Sequence, residues 1–270
     1  MKKLLSCLLL SVAAISTPIA SAEAGTFYVS TNRSQVGVID DLTGFYTQLA
    51  STPRFTDIAL DPLDELWGIT FSRLYSVNLD AGTYNYVGNL GASLNALGFT
   101  DDGTLYGSGG SGFYSIDTSS GAASLISSIS GFSSSGDIVF DAARNLFWAT
   151  SSGDSLWSIT QDGTATKVGN IGYGAVYGLA FGDDGTLFGY TANGNQLALN
   201  LETGAGTFIR EISGLNPGEN IWGAASEPDA TDPKKPVSTP ESSILAGLAV
   251  IALIFGCKAS YKLLGRNLKN

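Results

Sequence analysis

Residues 97–121 read LGFTDDGTLYGSGGSGFYSIDTSSG, and this segment is one copy of a pattern that fills the middle of the chain. It opens on an apolar run, Leu97-Gly98-Phe99, and passes through Asp101-Asp102-Gly103 to the hydrophobic–aromatic pair Leu105-Tyr106. Ser115-Ile116 follows, and a glycine, Gly121, ends it. The Asp-Asp-Gly triplet is turn chemistry, because Asp bonds its own backbone and Gly accepts a positive φ. Outward from this copy the pair recurs as Phe27-Tyr28, Leu66-Trp67, Leu146-Phe147 and Leu187-Phe188, at intervals of 39, 39, 41 and 41 residues. Runs at Ile58-Ala59-Leu60, Ile138-Val139-Phe140 and Leu179-Ala180-Phe181 precede the pairs. Val38-Ile39, Ser76-Val77, Ser158-Ile159 and Ala198-Leu199 follow them, with glycines at 44, 82, 163 and 204.

Each unit therefore reads as four short strands joined by tight turns. A period near 40 residues with four strands per unit predicts an all-β chain folded as a five-bladed β-propeller. In the first strands the third column is small (Ala59, Gly98, Val139, Ala180, Ala224). The fourth is large (Leu60, Phe99, Phe140, Phe181) until Ala225. Small beside large suits wedges converging on an axis, and unbroken apolar runs indicate strands covered on both faces. The first unit lacks a first strand, while a spare one, Ile221 to Ala225, follows the fifth unit. Laid into the first blade it closes the ring and removes exposed strand edges. An open sandwich or solenoid would leave that strand unexplained.

Both ends read as addressing segments. Lys2 and Lys3, the apolar stretch Leu4 to Ile15 and Ala20-Ser21-Ala22 make residues 1–22 a secretory signal. The propeller is expected over 23–227, followed by a Pro-rich linker at 228–243. Residues 244–270 form a hydrophobic anchor with a basic tail, crossing the membrane through 244–264 with Lys258 and Lys262 snorkelling. Cys7 and Cys257 lie in the two apolar ends, so the region between has no cysteine. That excludes a disulfide framework and a thiolate metal site there, and the absence of histidine from the chain excludes imidazole bases and imidazole metal sites. Between Glu23 and Asp232 stand 23 acids and six bases. That balance excludes a nucleic-acid footprint and disfavours anionic polymers.

Aligning the first strands places Asp57, Ala96, Asp137, Gly178 and Trp222 at equivalent positions lining the channel. Asp57 and Asp137 belong to non-adjacent blades and face each other. At about 10 Å and an effective dielectric near 20, their repulsion is about 1.7 kcal/mol, which favours a bound cation. Calcium takes carboxylate and carbonyl oxygens, and Asn95 and Asn220, just upstream in their own blades, would add ligands. The ordinary alternative is that both acids accept backbone N–H bonds. The Asp-Asp-Gly turns lack the ligand pattern of a calcium loop. Trp67, Trp148, Trp157 and Trp222 are candidates for stacking on sugars, but three of the four sit in repeat columns and so read as core.

The phrases Leu-Tyr-Ser-Val-Asn-Leu-Asp-Ala-Gly (74–82) and Phe-Tyr-Ser-Ile-Asp-Thr-Ser-Ser-Gly (113–121) resemble the units of secreted NHL and YVTN propellers. That resemblance spans about 26–226 and implies fold, not function. Pro240-Glu241-Ser242, a short apolar helix and a basic end resemble the PEP-CTERM sorting signal, with Ser242 where that family usually has Pro. The resemblance implies an exosortase-type processing enzyme, cleavage near Pro240, an outer-surface or envelope location and a link to extracellular polysaccharide. The sequence thus supports a non-enzymatic binding or scaffolding module for a glycan or surface protein. Its rival is a calcium-dependent hydrolase or lactonase using Asp57 and Asp137.

Overall fold

The computed structural model describes residues 26–226. The expected signal sequence, linker and anchor, with the sorting residues Pro240, Glu241 and Ser242, lie outside the described residues. Twenty short strands follow one another. The first three are β1 (Thr26–Thr31), β2 (Gln35–Asp40) and β3 (Tyr46–Ser51). The second unit holds β4 (Asp57–Leu60), β5 (Leu66–Thr70), β6 (Arg73–Asn78) and β7 (Thr83–Asn89). The third holds β8 (Ala96–Phe99), β9 (Leu105–Gly109), β10 (Gly112–Ile116) and β11 (Ala123–Ser128). The fourth holds β12 (Ser134–Asp141), β13 (Leu146–Ser151), β14 (Ser155–Thr160) and β15 (Ala165–Asn170). The fifth holds β16 (Val176–Phe181), β17 (Leu187–Thr191), β18 (Asn195–Leu199) and β19 (Gly206–Glu211), and β20 (Ile221–Ser226) ends the series.

These strands form five four-stranded antiparallel sheets, and the first has the order β20-β1-β2-β3. The spare strand is therefore the inner strand of the first blade, and the chain is a closed five-bladed propeller. The inner strands β20, β4, β8, β12 and β16 neighbour one another around the axis. Hydrogen bonds reinforce the closure: Thr31 Oγ1 donates to Glu219 Oε1 (2.8 Å), and Asn32 and Asn220 exchange two bonds (3.2 and 2.9 Å).

Burial follows radius. Inner strand β4 is buried throughout, whereas outer strands β7, β11, β15 and β19 are largely exposed. Five apolar clusters hold the core, and each is shared by two neighbouring blades. Tyr106 and Phe113 of the third blade pack on Phe147 and Trp157 of the fourth, for example. Phe27 and Val29 of the first pack on Ala180 and Tyr190 of the fifth. A fully buried Leu or Phe contributes about 1.5–3 kcal/mol, so a blade is stable only against its neighbours.

Two register assignments from sequence are corrected. In the fourth blade Val139 pairs with Trp148, as Ala59 pairs with Trp67, so the recurring pair there is Phe147-Trp148 and not Leu146-Phe147. The turn is one residue longer, and Asn145 takes the left-handed conformation (φ 55°) two positions before the pair. Asp64, Gly103 and Gly185 hold that place in other blades. In the last strand Ala225, not Ala224, pairs with the aromatic of β1, so Gly223 replaces Trp222 at the level of Asp57. A bulge at Trp222 and the pairing of β20 with β1 set this register.

Candidate functional site

The inner strands run in one direction along the channel, so residues at one level form a ring. At one level stand Asp57, Ala96, Asp137, Gly178 and Gly223, two acids and three of the smallest residues. The three small residues leave room for the carboxyls: a Cβ at Gly223 would lie 2.2 Å from Asp57 Oδ1. Both acids are buried, Asp57 at 0% exposure and Asp137 at 1%.

The next residue of the strands aims its N–H at the acids. Asp57 Oδ1 accepts from Ile58 N (2.8 Å) and Oδ2 from Leu97 N (2.7 Å). Asp137 Oδ2 accepts from Leu179 N (2.6 Å) and Ala224 N (3.1 Å). Asp137 Oδ1 is buried without a full hydrogen bond, the N–H of Ile138 acting weakly on that carboxyl, and the carboxyls of Asp57 and Asp137 interact directly with each other. The separation of about 10 Å assumed from blade geometry is thus replaced by direct contact, because small neighbours let the inner strands converge. Burial, and then the Asp137 charge, hold the Asp57 carboxyl well above the usual carboxylate range. Burial likewise raises Asp137, against the pull of its N–H donors.

This donor set does not fit calcium, which needs six to eight oxygen ligands with free lone pairs. Here the oxygens face amide N–H groups, three of the four accepting from the backbone. Asn95 adds only one residue to the mouth, and Asn220 is drawn off by its pairing with Asn32. Among the described residues no group of three or more Asp, Glu, His or Cys side chains converges.

One residue upstream the ring reads Thr56, Asn95, Gly136, Tyr177 and Trp222. With Phe71 and Ser135 these line a cavity of about 330 Å³ at the channel mouth. No charged side chain lines it. Asn95 Nδ2 donates to Ser134 O (3.3 Å), while its Oδ1 is buried without a partner. The Arg54 guanidinium lies 4.6 Å from the centre of the Trp222 ring and braces it from one face. Beyond the acids, the opposite end holds a smaller cavity of about 70 Å³ walled by residues such as Leu60, Phe99, Phe140 and Phe181. The acid pair thus separates a polar–aromatic mouth from an end that is mostly apolar, with Thr100, Asp101 and Ser226 at its margin.

Sequence reasoning found Asp57, Asp137 and Asn95 in the channel and placed Trp222 there one level too deep, but missed Tyr177 as a mouth residue. A signal was present. The column one place before Asp57 varies among Thr, Asn, Gly, Tyr and Trp, while the columns after it are uniformly apolar. Trp148 and Trp157 are buried, as expected of core residues, and Trp222 is only partly so.

No family model and no curated protein matches the chain. Solved structures do. A protein of unknown function from Bacteroides thetaiotaomicron VPI-5482 is similar at 12% identity and TM-score 0.54, over 77% of this chain and 66% of that one. This chain thus spans just under two thirds of that neighbour. The extracellular domain of a putative hybrid two-component system from B. thetaiotaomicron aligns at 20% identity and TM-score 0.42, over 74% and 28% of the two chains. A protein of unknown function from Bacteroides caccae aligns at 13% identity and TM-score 0.44, over 70% and 73%. At such identities the likeness carries fold alone.

Proposed function

We propose that this chain is an exported propeller, held at the cell envelope by its C-terminal segment, that binds a neutral carbohydrate at the channel mouth. The observation that carries the reading is the uncharged mouth. It offers Tyr177 and Trp222 as apolar platforms, with the unpartnered Asn95 Oδ1 as an acceptor for a hydroxyl. Pockets with a few placed polar groups among aromatics suit ligands that are apolar on a face and polar at the edge. The acidic domain disfavours polyanions and tolerates neutral glycans.

The rival hydrolase reading loses support from the acid pair. Its carboxyls are sealed beneath the mouth and engaged by backbone N–H groups, so neither is placed as a free base or metal ligand. The secretory signal at 1–22 and the PEP-CTERM-like end support the envelope address. An exosortase-type enzyme is the processing partner that this end implies.

Binding is tested by titrating the protein with neutral oligosaccharides while following tryptophan fluorescence and heat. We expect saturable binding that Trp222→Ala weakens at least tenfold. Absence of binding across neutral glycans, or undiminished binding by the variant, would refute the reading.

A further inference from the structure

Two carboxyls in contact inside a protein cannot both be ionised without a compensating cation, and these two face amide N–H groups instead. Asp137 Oδ1 is buried and makes no full hydrogen bond, with the Ile138 N–H acting on that carboxyl only weakly. Only a proton between the carboxyls turns this contact into a bond. We infer that the Asp57–Asp137 pair is a buried proton-binding site, whose single proton is a structural ligand closing the propeller's channel. The pair accepts N–H bonds from β4, β8, β16 and β20 and is itself carried by β4 and β12, so all five blades converge on it.

No other charge competes at this level. Strands β8 and β20 carry no titratable side chain, and on β16 there is just the phenol of Tyr177, one residue toward the mouth from the level of the acids. On β4 Asp57 stands alone. On β12 the other acid, Asp141, sits at the far end, with Arg144 Nη1 (2.8 Å) and Trp148 Nε1 (2.9 Å) donating to it. The raised proton affinity of both acids agrees with this isolation.

The sign follows from linkage. An unfolded Asp loses its proton near about pH 3.9, whereas the folded pair keeps one well above that. Between those values the folded state holds more protons, so stability falls as pH rises, and acidification strengthens the ring. One linked proton changes the unfolding constant up to tenfold per pH unit.

Asp137→Asn provides a matched replacement. Its amide oxygen keeps the Leu179 and Ala224 N–H bonds, and its NH₂ donates permanently to the Asp57 carboxylate, leaving net charge unchanged from the singly protonated pair. Reversible unfolding of the full chain should show an unfolding constant that rises with pH above the range in which unfolded Asp titrates, about pH 4. The slope should be steeper than in Asp137→Asn by up to tenfold per unit. Equal slopes would overturn the inference, as would calcium abolishing the slope in the parent protein. Carboxyl ¹³C resonances of the parent protein give a reading independent of the variant's folding. One Asp signal should remain in the protonated range at pH 6, and ionisation of every Asp below pH 5 would sink the proposal.

Discussion

At the scale of residues, the channel is a problem of volume before it is one of charge. Gly223 sits where a methyl group would strike Asp57 Oδ1 at 2.2 Å and Asp57 Cα at 2.7 Å, and the latter is backbone that cannot swing aside. Gly223→Ala is therefore expected to destabilise the domain by about 1–3 kcal/mol or more, the usual range for overpacking. Denaturant titration measures it, and an unchanged midpoint would contradict the contact. Trp148 supplies a second case. Its buried indole N–H donates to Asp141 (2.9 Å), so Trp148→Phe keeps an aromatic ring, though a smaller one, and leaves that carboxylate one donor short. A loss of about 1.5–3 kcal/mol is expected, as for hydrogen bonds to charged groups. The same substitution at the less buried Trp67, whose bond to Asp61 is longer (3.3 Å), should cost less.

At the scale of elements, the five repeat glycines anticipated at 44, 82, 121, 163 and 204 all take positive φ, and each stands where the third strand of its blade turns into the fourth. Gly121 (φ 78°) shows a further constraint. A Cβ there would meet the Gly88 backbone of the preceding blade at 2.8 Å, and Gly204 meets Gly169 in the same way two blades later. The glycine that makes the turn also lets that turn sit against the outer strand of the preceding blade. Gly121→Ala incurs both the left-handed cost of about 1–2 kcal/mol and a backbone collision. At about 2–4 °C per kcal/mol for a domain of this size, a fall of several degrees in Tm is expected by calorimetry. Register was less legible than the turns. The fourth blade was misaligned by one because Leu146, Phe147 and Trp148 are three consecutive large apolar residues, any two of which satisfy the pattern. Only the left-handed Asn145 marks which pair is equivalent.

At the scale of the whole molecule, closure by β20 joins residues almost 200 positions apart, and the five cores each lie between blades. Removing residues 219–227 strips one inner strand from the ring, uncovers β1 and deprives Asp137 of the Ala224 N–H. Loss of the cooperative melting transition is expected, and a melting curve like that of the intact chain would show that the ring closes some other way. Much of this architecture was readable because it is periodic: spacing, turn chemistry and strand polarity repeat locally, so five imperfect copies reinforce one another. The last inner strand is the exception. Gly223-Ala224-Ala225 carries no side chain distinctive enough to set its own register, and its partner lies at the other end of the domain. Sequence alone therefore determined the blades, their number and the strand that closes them, because these depend on local hydrophobic pattern. Tertiary structure decided that Asp57 and Asp137 touch, that backbone N–H groups surround them, and that Tyr177 and Trp222 frame the mouth. Those facts depend on how closely five inner strands approach one axis, a distance set by small residues contributed from every blade at once.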